Sequence, residues 1–246
     1  VRYLILTDLH ANLEALDAVL AAAEGRYDRV VCCGDLVGYG ANPNEVCAWV
    51  QRHATAVVRG NHDKACCGLD DIEDYNPAAR ISTLWTMDSL TAHHREFLRD
   101  LPGGPLSVDG FQILHGSPAD EDEYIVTPPE AAAVRRHLAT PVSFFGHTHL
   151  QGGFFFRRNQ VKAIEKVSRQ QMAFEITTAE ESTYLINPGS VGQPRDRDPR
   201  AAYVIYDTGE HCIAYYRVGY DVKAAQQKIT DAGLPGILAA RLAEGR

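Results

Sequence analysis

Five short apolar runs in this chain each stop at residues able to bind a metal or carry a proton. The run at 2–6 is followed by Thr7-Asp8-Leu9-His10, that at 29–33 by Gly34-Asp35, and that at 55–58 by Gly60-Asn61-His62-Asp63. A run at 111–114 ends in His115-Gly116, and one at 142–145 ends in Gly146-His147-Thr148-His149. Short apolar runs with little alternation read as strands buried on both faces. In open sheets, ligands bind beyond the carboxyl ends of the strands. The chain is therefore expected to fold so that these polar residues converge at one sheet edge. Singly, each has a plain structural reading: Asp8 or Asp35 as a turn former or cap, Asn61 as a turn after Gly60, and His10 or His115 as a satisfied core histidine. The pair His147 and His149 reads singly as a solvated turn. Two histidines at i and i+2 normally face apart. Gly146 is expected to supply the unusual backbone angles that bring both imidazoles to one place.

The intervening segments carry helical patterns. Leu13, Leu16, Val19 and Leu20 repeat at helical spacing ahead of Gly25, and Pro43 opens a second helix that runs to about 51. Strands alternating with helices predict a sheet covered by helices. The stretch from about 71 to 101 is helical by pattern, holds Tyr75 and Trp85, and is a candidate helical cap insert over the site. Thr127 is placed to cap a further helix. Later strands are expected at 106–108, 153–156, 173–177, 184–186, 202–206 and 212–216, followed by two helices split at Gly233-Leu234-Pro235. With no repeat, linker or low-complexity segment, 1–246 reads as a single domain.

Composition narrows the function classes. Hydrophobic residues make up 45% of the 246, enough for a substantial core and too many for disorder. A net charge of −8 argues against extended nucleic-acid binding, which needs a basic track. A nucleotide substrate stays compatible, because a metal supplies local positive charge. Cys32, Cys33, Cys47, Cys66, Cys67 and Cys212 form no C-x-x-C motif and read as reduced packing thiols. The opening run is a short strand rather than a secretory leader, and no apolar stretch reaches the ~20 residues of a membrane helix. A cytoplasmic protein with no membrane contact is expected.

Asp8, His10, Asp35, Asn61, His115, His147 and His149 make seven candidate metal ligands. One transition ion takes about four to six, so two ions sharing a carboxylate fit better. Asp35 suits the bridge, each of its two oxygens holding one ion. Imidazole mixed with carboxylate favours Zn, Mn or Fe; Ca is disfavoured and Mg fits less well.

The set D-L-H at 8–10, G-D at 34–35, G-N-H-D at 60–63, H-G at 115–116 and G-H-T-H at 146–149 resembles the calcineurin-like metallophosphoesterases in order, spacing and strand context. Asn187-Pro188-Gly189-Ser190 is similar to a stretch in bacterial members. The resemblance implies an α/β fold of two mixed β-sheets packed face to face with helices outside. It implies one divalent ion on Asp8, His10, Asp35 and His149, a second on Asp35, Asn61, His115 and His147, and His62 near the leaving group. Ions ~3.5–4 Å apart would clamp a phosphate and lower the pKa of a shared water. Hydroxide attack on phosphorus, with His62 as general acid, is the expected chemistry.

Several residues keep two readings. Asp63 either orients His62 or serves as a helix N-terminal acid. Asn12 either caps the helix after it or meets a phosphate oxygen. In Q-P-R-D-R-D-P-R, Arg195 or Arg197 either grips substrate or belongs to a solvated, self-paired loop. The acidic run 120–123 reads as a solvated loop or a rim that repels anions. Tyr75 and Trp85 either stack on substrate or pack, and Cys66 and Cys67 read as packing. A phosphodiester or nucleotide substrate is expected. The alternatives are a phosphomonoesterase, a dinucleoside polyphosphate hydrolase, and a scaffold that keeps its metals without catalysis; in such scaffolds the mark is loss of the histidine that stands here as His62. No segment reads as a clear interface, leaving oligomeric state open.

Overall fold

The computed structural model describes residues 1–158, 160–168, 173–179 and 181–246. They form two mixed sheets of six strands each. One runs in the order β3 (Ala54–Val57), β2 (Arg29–Cys32), β1 (Arg2–Leu6), β11 (Ala201–Asp207), β12 (Cys212–Val218) and β9 (Ala173–Thr177). Its first three strands are parallel, and the rest join antiparallel. The other sheet runs β4 (Leu106–Val108), β5 (Phe111–Ile113), β6 (Val142–Phe144), β10 (Ser182–Asn187), β7 (Gly152–Arg157) and β8 (Gln160–Ile164). There β5, β6 and β10 are parallel.

Strand β1 shows why the sequence pattern does not alternate. Tyr3 and Ile5 face the second sheet, in a cluster with Phe111, Ile113, Phe144 and Ile186. Leu4 and Leu6 face the other way, onto α1 (Leu13–Ala23), α2 (Pro43–His53) and α5 (Ala92–Asp100), through Leu16, Val19, Val50 and Leu98. All four β1 side chains are fully buried, and each such burial is worth roughly 1.5–3 kcal/mol. The outer face of the second sheet, with Phe154, Phe156 and Leu185, is covered by Ala131 and Val134 of α6 (Pro128–Val134). The result is the helix–sheet–sheet–helix sandwich expected from the resemblance.

Strand β8 and helix α3 (Asn61–Cys66) give no periodic signal in the sequence. Strand β8 is a half-exposed edge with a polar, charged face, so it carries no apolar run. Helix α3 has only six residues, too few for a repeat. The 71–101 stretch forms two helices, α4 (Pro77–Ser89) and α5, which pack against α2 and α3. Trp85 joins the apolar cluster of α7 (Val222–Asp231) and α8 (Gly236–Glu244), which also takes in Tyr39. Among the described residues no helix is long and apolar enough to cross a membrane.

Candidate metal centre

The loops leaving β1, β2, β5 and β6, together with the start of α3, meet at one end of the two sheets. The first two are zipped together: Asp8 N–H donates to Gly34 O (2.9 Å) and His10 N–H to Asp35 O (3.0 Å). Asp8, His10, Asp35, His147 and His149 all take left-handed backbone, with φ between 47° and 66°. Non-glycine residues rarely adopt it, and each instance costs about 1–3 kcal/mol. This corrects the expectation for Gly146, whose φ is not positive. The two histidines themselves carry the unusual backbone. Gly146 is required for space, since a Cβ there would lie 1.9 Å from Thr7 Oγ1. Gly60 serves likewise: its Cβ would lie 2.1 Å from Asp35 Oδ1.

Two groups of ligand atoms result, Asp8, His10, Asp35 and His149, and Asp35, His115 and His147, each with its atoms within 4.8 Å of one another. Asn61 joins the second, its Oδ1 lying 3.3 Å from His115 Nε2. All six titratable ligands are buried. Carbonyl acceptors fix the ring tautomers, because a carbonyl can only accept. Nδ1–H of His10 donates to Val37 O (3.0 Å), that of His115 to Cys33 O (2.8 Å), and that of His149 to Gln193 O (2.6 Å). His147 is reversed, with Nε2–H donating to Asp122 O (3.0 Å). The neutral rings of His10, His147 and His149 therefore turn a bare lone pair inward, and His10 Nε2 and His149 Nε2 lie 3.1 Å apart. Facing lone pairs beside buried carboxylates call for a cation, and backbone-anchored imidazoles are the usual support of a metal site. The residues fit divalent metal.

Asp35 is common to both groups, and its two oxygens differ. Oδ1 accepts from His62 N–H (2.9 Å). Oδ2 lies 3.5 Å from both His10 Nε2 and His115 Nε2, one ring from each group. The charges are strongly perturbed. Burial drives the pKa of His10 well below normal, and that of His147 down to about 3. Burial pushes Asp8 up to about 7. For His115 burial is overridden by the Asp35 carboxylate, which raises its pKa to about 10. Burial likewise opposes ionisation of Asp35, yet His115 holds that carboxyl well below its usual range.

Metal-stripped protein at pH 8 thus keeps a proton on His115, and a bound divalent ion must displace it. We expect about one proton released on loading, and apparent affinity rising with pH by about tenfold per unit up to the His115 pKa. Calorimetric titration in buffers of different ionisation heat measures this; a heat independent of buffer would remove His115 from the ligand set.

Two sequence readings are resolved towards structure. Asp63 does not touch His62: Oδ1 accepts from Leu36 N–H (2.8 Å) and Val37 N–H (3.2 Å), and Oδ2 from Gly60 N–H (2.9 Å). It pins the 35–37 loop to the start of α3, which fits the reading as a helix N-terminal acid rather than as the group that orients His62. Asn12 is buried and occupied, with Oδ1 capping α1 at Ala15 N–H (3.1 Å) and Nδ2 donating to Gly192 O (2.8 Å). Its capping of α1 and its tie to Gly192 favour the structural reading. His62 is buried, and its Nδ1 has no partner. Its ring lies 4.4 Å from that of Tyr39 and 5.6 Å from that of Tyr75, centroid to centroid. Tyr75 Oη also meets Asn61 Nδ2 (3.2 Å), so the 71–101 stretch reaches the centre through this side chain. Arg195 stands beside the centre, with N–H donating to His149 O (3.3 Å).

The acidic run is not simply solvated. Arg59 pairs with Glu121 (3.0 Å), and Lys64 with Glu121 (3.3 Å) and Asp122. These ties hold the carbonyl that orients His147. Cys66 and Cys67 lie in the apolar cluster under α1 and α2, as packing.

The calcineurin-like phosphoesterase superfamily domain model matches residues 1–211. An uncharacterized protein of Methanocaldococcus jannaschii is 34% identical over 98% of this chain and 97% of its own. The crystal structure of a metallophosphoesterase from Sphaerobacter thermophilus superposes with a TM-score of 0.88 at 38% identity, covering 100% of this chain and 99% of that one. A hypothetical protein from Pyrococcus horikoshii shares the fold, with a TM-score of 0.78 at 20% identity over 100% and 98% of the two chains. With its strand-end histidines and aspartates gathered around Asp35, the chain belongs to the calcineurin-like phosphoesterase superfamily.

Proposed function

We propose that this chain hydrolyses phosphate esters with two divalent ions, one on each ligand group, and acts on phosphodiesters or nucleotides. The observation that carries this reading is Asp35 Oδ2, 3.5 Å from a ring nitrogen of each group. Bound ions, with Mn, Zn or Fe suiting these donors better than Mg, supply Lewis acidity and a water of lowered pKa. The chain's own residues supply position and a proton. Backbone carbonyls lock four imidazoles, so nothing reorganises as charge builds on the phosphate.

His62 is the proton donor in this reading. Burial holds its pKa down to about 4, so its ring rests neutral. An anionic phosphate alongside favours the imidazolium, and that proton can pass to the leaving oxygen. A cleft lined by Tyr39, Tyr124 and Ile237 offers an ester's second substituent an apolar surface, which supports a diester or nucleotide over a simple monoester. The net charge of −8 favours a small substrate over a nucleic-acid track. Free thiols, five of the six buried, favour a reducing compartment such as the cytoplasm.

Hydrolysis of bis(p-nitrophenyl) phosphate and p-nitrophenyl phosphate, with Mn and with chelator, tests the reading. We expect metal-dependent cleavage with the diester preferred. Preference for the monoester overturns the diester assignment; cleavage of neither by protein that binds two metals favours the scaffold.

A further inference from the structure

The loop at 193–200 sorts its own charges. Asp196 pairs with Arg217, a fully buried side chain of β12, and Asp198 pairs with Arg200. Arg195 is left with no carboxylate among the described residues. Its guanidinium instead meets Gln193 Oε1 (3.1 Å) and Tyr39 Oη (3.3 Å). Arg241, from α8, reaches the same Gln193 Oε1 (3.3 Å) and likewise has no carboxylate among the described residues. Both guanidiniums lie near the Tyr39 ring, 5.7 and 5.8 Å from its centroid. Two like charges thus share one neutral acceptor and one ring. Burial, and then the charge of Arg195, make Arg241 harder to protonate. A fold that holds two guanidiniums together with no salt-bridged carboxylate gains from an anion between them, and their planar forks match phosphate oxygens.

The pair is joined to the metal centre. Gln193, whose side chain holds both arginines, uses its own carbonyl to orient His149. The Tyr39 ring beneath the arginines lies 4.7 Å from His10 and 4.4 Å from His62. The arginines open onto a cleft of about 500 Å³ with Tyr124 and Ile237 on its walls. Those two side chains are 52% and 55% exposed, large apolar surfaces available to a flat base. Glu244 also lines the cleft, but is paired with Arg246 (3.0 Å).

We propose that Arg195 and Arg241 form a second phosphate subsite, and that the substrate is a nucleoside polyphosphate whose non-scissile phosphate rests between them. This deepens the phosphoesterase reading and rests on it. Water adds to the phosphorus at the ligand cluster, the P–O bond to the bridging oxygen breaks, and the bond electrons leave on the phosphate held by the arginines. The leaving oxygen takes its proton from His62, water's first proton restores that charge through solvent, and the second stays on the product phosphate or is lost to solvent.

The test is titration of the full-length, metal-loaded chain with two probes. One is α,β-methylene-ADP, whose carbon bridge resists hydrolysis; the other is orthophosphate, which needs only the metal cluster. Arg241→Gln is expected to weaken α,β-methylene-ADP at least tenfold and orthophosphate less than twofold. Arg241→Lys should recover only part of the loss, because an ammonium keeps the charge without the fork. Equal weakening of both probes, no weakening of either, or full recovery by lysine overturns the subsite, as does a wild-type chain that binds orthophosphate but gains nothing from the second phosphate. Binding is read without turnover, so inactivity towards p-nitrophenyl esters would sink the catalytic reading while leaving this titration to decide the subsite.

Discussion

Asp35→Asn is expected to abolish metal binding at both ligand groups together. The asparagine oxygen can still accept the His62 N–H that Asp35 Oδ1 holds. That places the amide NH2 where Oδ2 stood, turning donors towards His10 and His115. Donors there repel a cation, and the negative charge that favours it is gone. Turnover should fall by on the order of 10³ or more, since the electrostatic support for charge on phosphorus goes with the ions. A second signature separates this from misfolding. Burial and, secondarily, Asp35 raise the pKa of Asp8 and Asp63, and the Asp35 part marks repulsion among buried carboxylates. Neutralising it relieves that repulsion but also removes the carboxylate paired with protonated His115, so the stripped variant should melt somewhat lower than stripped wild type while still melting cooperatively. Wild type should gain stability on metal loading, by mass action, and the variant should not. Metal analysis alongside thermal melts with and without chelator would show this. One ion retained at full occupancy would exclude Asp35 as a bridge.

His62→Ala is expected to keep both ions and the fold while losing turnover by about 10²–10⁴, the range for a removed general acid. His62 ligates nothing, and its ring contacts are aromatic faces rather than hydrogen bonds. The loss should depend on the leaving group. Departing p-nitrophenolate is a stable anion at neutral pH and needs little help, whereas a nucleoside or alkyl oxygen needs a proton. Comparing kcat for p-nitrophenyl and methyl esters of the same phosphate reads this difference. Equal losses on both would assign His62 to positioning instead.

The ligand set was legible because metal chemistry admits few residue types and the fold puts them after apolar strands. The supports were not. Val37, Cys33, Gln193 and Asp122 act through main-chain carbonyls, and a carbonyl carries no residue signature. For the same reason Asp63 could be placed beside His62 in sequence but not denied contact with it until its three backbone donors were seen. Asp35 could be picked out from the sequence as the residue common to both groups, but the claim of His62 N–H on its Oδ1 is a tertiary fact. Gly146 shows a related limit: its sequence announces a special backbone position without distinguishing dihedral freedom from lack of room. Arg241 gave no signal at all, because a helical arginine is ordinarily a solvated one. It gains meaning only when α8 sets it beside Arg195.

The left-handed backbone at five of the ligands bears on how this domain can be improved. A stability engineer scanning it would flag Asp8, His10, Asp35, His147 and His149 as the positions where glycine relieves most strain. Each such change would relieve that strain and delete a candidate ligand. Thermal robustness and metal capacity therefore draw on the same residues, and selection for one works against the other. Variants that gain heat tolerance without losing metal must find it elsewhere, at the β8 edge or the exposed faces of the outer helices.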